Sequence, residues 1–362
     1  MPSGVGVRSR CSLKTVFIWA VLVVIASILF LSFKLNIIEL GRNLRRQSNI
    51  RRTNKSTLHI QKFNMRGNDV MVFVHIQKTG GTQFGLQLVR NLDIERPCQR
   101  RRLQMSHNIR RKKRFKCLRP GSSKIWLISR HHLGWPCGLH ADWTETKECV
   151  SRYMNSREGK NVDRTFFYVT IIREPVSRFL SEFSFVRNTS STWSGASLRC
   201  NGRSPSRDEL PPCFAGKNLS EITLKDFMGC PWNLAINRQS RMLADLRLVN
   251  CYDTRAMPKS KRNEIILQSA KRNLQKMAYF ALMEYQEESQ FLFEKTFGLK
   301  FLTPFKQVGS NETKAGKLFP KLNDSVLQAV KHLNSLDVEL YTFAKKLFLK
   351  RVKNFKDSES RT

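Results

Sequence analysis

The sequence predicts an α/β fold on a central parallel sheet, preceded by an N-terminal transmembrane helix. Three observations predict it. The runs VMVFVH at 70–75, KIWLIS at 124–129 and FFYVTII at 166–172 are nearly unbroken apolar stretches, the pattern of strands covered on both faces. Helical spacing follows the first of them, through Phe84, Leu88 and Leu92 in 82–92, and also the third, over 176–186. Strands alternating with helices indicate a largely parallel sheet. Finally, residues 16–33 (VFIWAVLVVIASILFLSF) are 18 residues without a charge, about the minimum for a membrane-spanning helix.

The N-terminal segment reads as an uncleaved signal anchor. Arg8, Arg10 and Lys14 precede it and Lys34 follows it. A cleaved signal has a shorter apolar region, ~7–15 residues, and ends in a small-x-small site, which is missing here. Flanking charge does not set the orientation, because Arg42, Arg45, Arg46, Arg51 and Arg52 crowd the far side. The cysteines do. Cys11 precedes the anchor, and Cys98, Cys117, Cys137, Cys149, Cys200, Cys213, Cys230 and Cys251 follow it, an even set suited to an oxidising lumen. The glycosylation sequons at Asn54, Asn188, Asn218, Asn311 and Asn323 lie on the same side. The expected order is a cytoplasmic tail (1–15), the anchor (16–33), a polar basic lumenal stem (34–66), a folded domain (67–352) and a polar tail (353–362). Eight cysteines admit 105 pairings, which sequence leaves open. None has the paired CxxC spacing of a zinc site, and no metal is expected.

Charge narrows the partners. The 64 Lys and Arg against 28 Asp and Glu leave a formal net charge of +36, the surface of a protein that seeks a polyanion. A lumenal domain does not meet nucleic acid, which leaves acidic lipid or an acidic polysaccharide. Further along, 187–222 is rich in Ser, Gly, Pro and Asn with two cysteines, and reads as a long stapled loop. Pro258 stands before a helix over 259–277, a short strand is expected at 279–283 and a helix at 284–297. Val326, Val330, Leu333, Leu336, Leu340, Phe343 and Leu347 make one apolar helix face, with Asn323 to Ser325 as cap candidates.

Two segments carry chemistry. His75-Ile-Gln-Lys-Thr-Gly-Gly-Thr82 lies between a strand and a helix. Its glycines allow a tight turn with exposed N–H groups, and the helix N-terminus adds a positive dipole end, a cradle for phosphate. It is not a Walker A loop, because Lys78 precedes the glycine pair. In the second, Ile171-Ile-Arg-Glu-Pro-Val-Ser-Arg-Phe-Leu-Ser181, Arg173 ends a strand and Ser181 lies two turns into the next helix. Ligands gather at the carboxyl ends of such strands, where Arg173 offers a planar fork and Ser181 a hydroxyl.

These segments resemble the 5′-phosphosulfate and 3′-phosphate loops of sulfotransferases. With Gly134-Trp-Pro-Cys-Gly-Leu-His-Ala-Asp-Trp143 and Cys230-Pro-Trp-Asn-Leu-Ala-Ile-Asn-Arg-Gln239, the chain is similar to the heparan-sulfate 6-O-sulfotransferase family over about 63–351. The stretch from Cys98 to Cys117 is longer and more basic than that likeness leads one to expect. The resemblance implies a P-loop-like three-layer sulfotransferase fold, Golgi residence as a single-pass type II protein, and 3′-phosphoadenosine 5′-phosphosulfate as donor. It places the donor on Gln77, Lys78, Thr79, Gly80, Gly81, Thr82, Gln83, Phe84, Gly85, Arg173 and Ser181. Late in the chain it adds Lys306, Gln307, Val308, Lys314 and Ala315. Heparan sulfate is expected against Lys113, Arg114, Trp135, His140 and Trp193. Among seven histidines, His140 in the family's GLHADW segment is the expected base for the acceptor hydroxyl, with His75 the competitor, and Lys78 is expected to steady the leaving phosphate. Other readings are a polysaccharide sulfotransferase acting at a different hydroxyl, a non-catalytic heparan-sulfate-binding module, and a P-loop kinase, which lacks the Walker A order.

Overall fold

The computed structural model describes residues 62–101, 114–132, 136–138, 140–192, 198–306 and 322–360, all within the compact unit Gln61–Thr362. In chain order these form β1 (Val70–Val74), α1 (Gly81–Arg90), β2 (Leu92–Asp93), β3 (Gln99–Arg101), β4 (Arg114–Lys116), β5 (Leu127–Ile128), α2 (Trp143–Glu158), β6 (Phe166–Ile172) and α3 (Pro175–Thr189). Then come α4 (Leu224–Gly229), α5 (Arg238–Leu243), a single 3₁₀ turn (Leu246–Val249), α6 (Lys259–Lys276), β7 (Tyr279–Leu282), α7 (Gln286–Phe297), β8 (Lys300–Phe301), α8 (Asp324–Leu333) and α9 (Ser335–Glu359).

The central sheet has the order β5-β1-β6-β7 and every pair in it is parallel. All five residues of β1 and six of the seven in β6 are buried, which is why their apolar runs do not alternate. Register is pinned where it matters: Val74 lies beside Thr170, whose buried hydroxyl donates to the Val74 carbonyl at 2.8 Å. The edge strand β7 is completed by Ser289 of α7, whose hydroxyl exchanges bonds with the Leu282 N–H and carbonyl at 3.2 Å.

Helix starts follow local chemistry. Asp142 caps α2 by accepting from Glu145 N at 3.0 Å. Glu174 caps α3 through Val176 N and Ser177 N, with Pro175 at the first position, where its missing N–H is harmless. Asn323 caps α8, as expected, by accepting from Val326 N at 3.0 Å. The apolar stripe that follows is not one helix. It breaks at Asn334, whose amide donates to Val330 O at 2.9 Å and accepts from Asn237 N at 3.1 Å. The break lets the stripe serve two cores. Val330 packs with Val176, Phe179 and Phe227, whereas Leu340, Ala344, Phe348 and Val352 pack with the sheet.

The packed unit extends beyond 67–352 at both ends: α9 continues to Glu359, and Phe63, in the expected stem, belongs to the core. Its ring meets Trp126, Phe167 and Phe297 edge-on at 5.4–6.3 Å, and its N–H donates to Phe297 O at 3.2 Å. All eight cysteines beyond the expected anchor pair, as Cys98–Cys117, Cys137–Cys149, Cys200–Cys251 and Cys213–Cys230. Two of these staple the loop region 198–222 outward, to the segment before α5 and to the one after it. Among the described residues no helix is long and apolar enough to cross a membrane; the segment 16–33 lies outside them. Phe63→Ala is expected to destabilise the full chain by about 3–5 kcal/mol, the usual cost of emptying a buried aromatic site, measured as a lowered denaturation midpoint.

Candidate active site

The expected phosphate cradle is the turn between β1 and α1. Lys78 and Gly80 both take positive φ, 66° and 86°, and this reverses the chain so that Gln83 N and Phe84 N return to Gly80 O at 3.0 and 3.3 Å. Both glycines are required by contact. A Cβ on Gly80 would lie 2.4 Å from Met283 Sδ, and one on Gly81 would lie 2.3 Å from Cδ2 of His75. Thr79 is buried and its hydroxyl donates to Ile76 O at 3.0 Å, so it shapes the turn from inside. Thr82 is exposed. Phe84 turns its ring into the core, against Phe73, Tyr279, Phe293 and Phe305. Gly85 is closed over by His131, whose Cδ2 would lie 2.9 Å from a Cβ there. Gln77 is buried.

Arg173 follows the carboxyl end of β6, and Ser181 lies in the second turn of α3. Both are buried, and Arg173 Nη1 donates to the Lys78 carbonyl at 3.2 Å, so the two phosphate-type segments touch. The Lys78 ammonium lies 4.9 Å from the Phe185 ring centroid on α3. Beside Ser181, Glu182 accepts from both Arg178 and Arg238. Burial alone would push this carboxyl up, but the two guanidinium groups overcome it and hold it below its ordinary range.

His140 approaches from the loop before α2. Its φ is 56°, and the loop is fixed by the Cys137–Cys149 disulfide and by the Asp142 cap, which also accepts from the Tyr252 hydroxyl at 3.1 Å. The His140 and His75 ring centroids are 4.8 Å apart, and His140 Nδ1 lies 3.2 Å from the His75 carbonyl oxygen. An oxygen accepts only, so Nδ1 carries the proton and Nε2 carries the lone pair. Burial pushes His140 down to about 4, with the hydrogen bond to His75 opposing it and the charges of Arg130 and Arg238 adding to it. His75 is also held well below its ordinary value, by burial and then by His140, Arg130 and His131. The two histidines are 5% and 6% exposed, so burial does not separate the expected base from its competitor.

Arg130 was missed in the sequence. It follows β5 closely, and its guanidinium donates to the Thr82 hydroxyl at 3.1 Å. His75, Ser129, Arg130, Gly138 and Ala141 line one cavity of about 30 Å³. The signal that would have found it is position, since it leaves the carboxyl end of a buried parallel strand, where ligands gather. Lys306 is exposed and follows Phe305, whose ring packs on that of Phe84 in the core at 6.1 Å. Gln307, Val308, Lys314, Ala315, Lys113, Trp135 and Trp193 lie outside the described residues; of Arg114 only the backbone, in β4, is described. Among the described residues no group of three or more His, Cys, Asp or Glu is placed to hold a metal ion.

The turn after β1, beside the His75–His140 pair, is the candidate site, and the comparisons give the class of the protein. The model described as "Sulfotransferase family" matches residues 61–344. Similar curated proteins are heparan-sulfate 6-O-sulfotransferase 2 of Gallus gallus, 47% identical over 82% of this chain and 71% of the relative, and heparan-sulfate 6-O-sulfotransferase 3-B of Danio rerio, 50% identical over 80% and 66%. Heparan-sulfate 6-O-sulfotransferase 1 of Cricetulus griseus is 47% identical over 83% and 72%. The chain belongs to the sulfotransferase family, within the group of heparan-sulfate 6-O-sulfotransferases. It is thus an enzyme of the class whose donor is 3′-phosphoadenosine 5′-phosphosulfate.

The acids under the His140 loop make a stability prediction. Burial raises Glu145 to about 8, with Asp142 adding to it, and burial raises Asp142 to about 6. A raised carboxyl binds its proton more tightly folded than unfolded, so its stabilisation is complete below the unfolded value and is lost as pH rises through the folded one. Wild-type melting temperature should therefore fall between pH 6 and 9, above the Asp142 range, and Glu145→Gln should flatten that fall, read by thermal melts across the interval.

Proposed function

We propose that this enzyme transfers the sulfuryl group of 3′-phosphoadenosine 5′-phosphosulfate to the 6-hydroxyl of glucosamine residues in heparan sulfate, with His140 as general base. The observation that carries the reading is the His140–His75 contact, which sets a neutral imidazole, Nε2 accepting, against the strand that ends in the phosphate cradle. The acceptor oxygen attacks sulfur in line as its proton passes to His140 Nε2. The bond from sulfur to the bridging oxygen breaks, and the pair stays on the 5′-phosphate of 3′-phosphoadenosine 5′-phosphate. Lys78 steadies that charge, while Arg173 and Ser181 hold the 3′-phosphate. Lys306, Gln307, Val308, Lys314 and Ala315 help to hold the nucleotide. Lys113, Arg114, Trp135 and Trp193 face the glycan. The names of the relatives favour heparan sulfate and the 6-position, and the net charge of +36 suits such a polyanion.

In this reading residues 16–33 anchor the protein in the Golgi membrane as a single-pass type II protein, and the sheet stands in the lumen in the P-loop-like three-layer arrangement. Four disulfides after the anchor support an oxidising compartment. The exposed sequon residues Asn188, Asn218 and Asn323 agree with it.

The direct test is incubation of the full chain with labelled donor and desulfated heparin, followed by disaccharide analysis. Label on O6 is expected, and label confined to O2, O3 or nitrogen overturns the acceptor assignment. His140→Ala should keep its affinity for 3′-phosphoadenosine 5′-phosphate yet lose at least about 100-fold in turnover. Because His140 is lowered to about 4, it is unprotonated at neutral pH, and the acid limb of the rate profile should lie well below the ordinary histidine range.

A further inference from the structure

Gln239 is fully buried at the second position of α5, and it spends its whole carboxamide on the main chain of one residue. Its Oε1 accepts from Arg173 N at 2.9 Å, and its Nε2 donates to Arg173 O at 2.9 Å. The side chain does what a neighbouring strand would do, at the point where β6 has run out of partners. Arg173 Nη1 then reaches the Lys78 carbonyl, so the direction in which Arg173 leaves the sheet also sets its hold on the cradle.

The helix that carries Gln239 is itself fixed. The Asp337 carboxylate accepts from Gln239 N at 3.1 Å and Ser240 N at 2.7 Å, which caps α5. Asn237 Oδ1 returns the favour to α9, accepting from Leu336 N at 3.0 Å and Asp337 N at 3.2 Å. Each helix start is capped by a side chain from the other, and this satisfies N–H groups that neither helix can bond internally. Asp337, Gln239, Ser240 and Asn334 are all buried, so water does not compete for these bonds.

We propose that Gln239 is a positioning residue for donor binding, aiming Arg173 at the 3′-phosphate through two main-chain hydrogen bonds. The proposal rests on the donor-site reading above, and the test separates the two. In the full chain, affinity for 3′-phosphoadenosine 5′-phosphate is measured by calorimetry, and KM and kcat for the donor are measured for wild type, Gln239→Ala, Gln239→Glu and Arg173→Ala. Gln239→Ala should raise the donor KM about tenfold, the scale of two lost hydrogen bonds, and leave kcat at saturation within about twofold.

Gln239→Glu supplies a conservative rescue. Its carboxyl would meet the Arg173 N–H and carbonyl; the nearest charges are the Asp337 carboxylate of α9, bonded to the main-chain N–H of residue 239, and the Arg178 guanidinium 3.9 Å from Asp337, which with Arg238 is bonded to Glu182. Ionised, it repels the Arg173 carbonyl; protonated, it donates as the amide does. Its KM relative to wild type should therefore shrink toward one as pH is lowered from about 8 to 5.5, spanning the range over which a buried carboxyl beside another titrates. A wild-type donor affinity in Arg173→Ala overturns the donor site itself. Loss of affinity in Arg173→Ala with unchanged KM in Gln239→Ala, or a Gln239→Glu ratio that stays flat with pH, overturns the positioning role. If Gln239→Ala does not fold, the pH dependence of Gln239→Glu decides alone.

Discussion

The parallel register of β1 on β6, Val74 beside Thr170, fixes the two points at which chain leaves the sheet toward the site. From β1 the chain enters the cradle; from β6 it enters the turn that carries Arg173. A slip of one residue would exchange the faces of every side chain on the strand and part the Arg173 guanidinium from the Lys78 carbonyl. The hydroxyl of Thr170 is bonded across that register to Val74 O, so slipping would also leave a buried polar group unpaired, at ~1–3 kcal/mol. Beyond the sheet, His140 reaches the cradle by bonding to the carbonyl of His75, the first residue after β1.

The buried charges around α3 have a related role. Arg178 and Arg238 stand against Glu182 and Asp337 in one group, two of each sign. Such groups are seldom net stabilising compared with apolar packing, but removing one member leaves a charge stranded, at ~3–5 kcal/mol. They therefore specify one arrangement of α3, α5 and α9, the helices around Ser181 and Arg173, more than they strengthen it.

Much of this was legible beforehand, and the failures have physical causes. β1, β6 and β7 stand within a residue of their apolar runs, because burial on both faces leaves a local signature. The turn between β1 and α1 was legible because Lys78, Gly80 and Gly81 lie within four residues after an apolar run. Helix α2 was not, since the face it buries includes Thr144, Glu145 and Thr146 beside Trp143, Val150 and Met154, a mixed surface with little periodic contrast. The break at Asn334 was hidden because the apolar spacing continues through it; what divides the helix is a long-range bond to Asn237, 97 positions away. Arg130 and Gln239 belong to the same class, residues whose roles arise from contacts that tertiary structure alone creates. The disulfide pairing was open in sequence for the same reason.

Gly81 carries a consequence beyond the geometry of the cradle. Its missing Cβ is the space occupied by the His75 imidazole, the ring that in turn rests against His140. Every residue reachable from a glycine codon by one base change adds that carbon. The codon at position 81 is therefore isolated: a substitution there cannot drift in neutrally and be refined later, and a lineage that lost this glycine would have to rebuild the histidine pair in the same step.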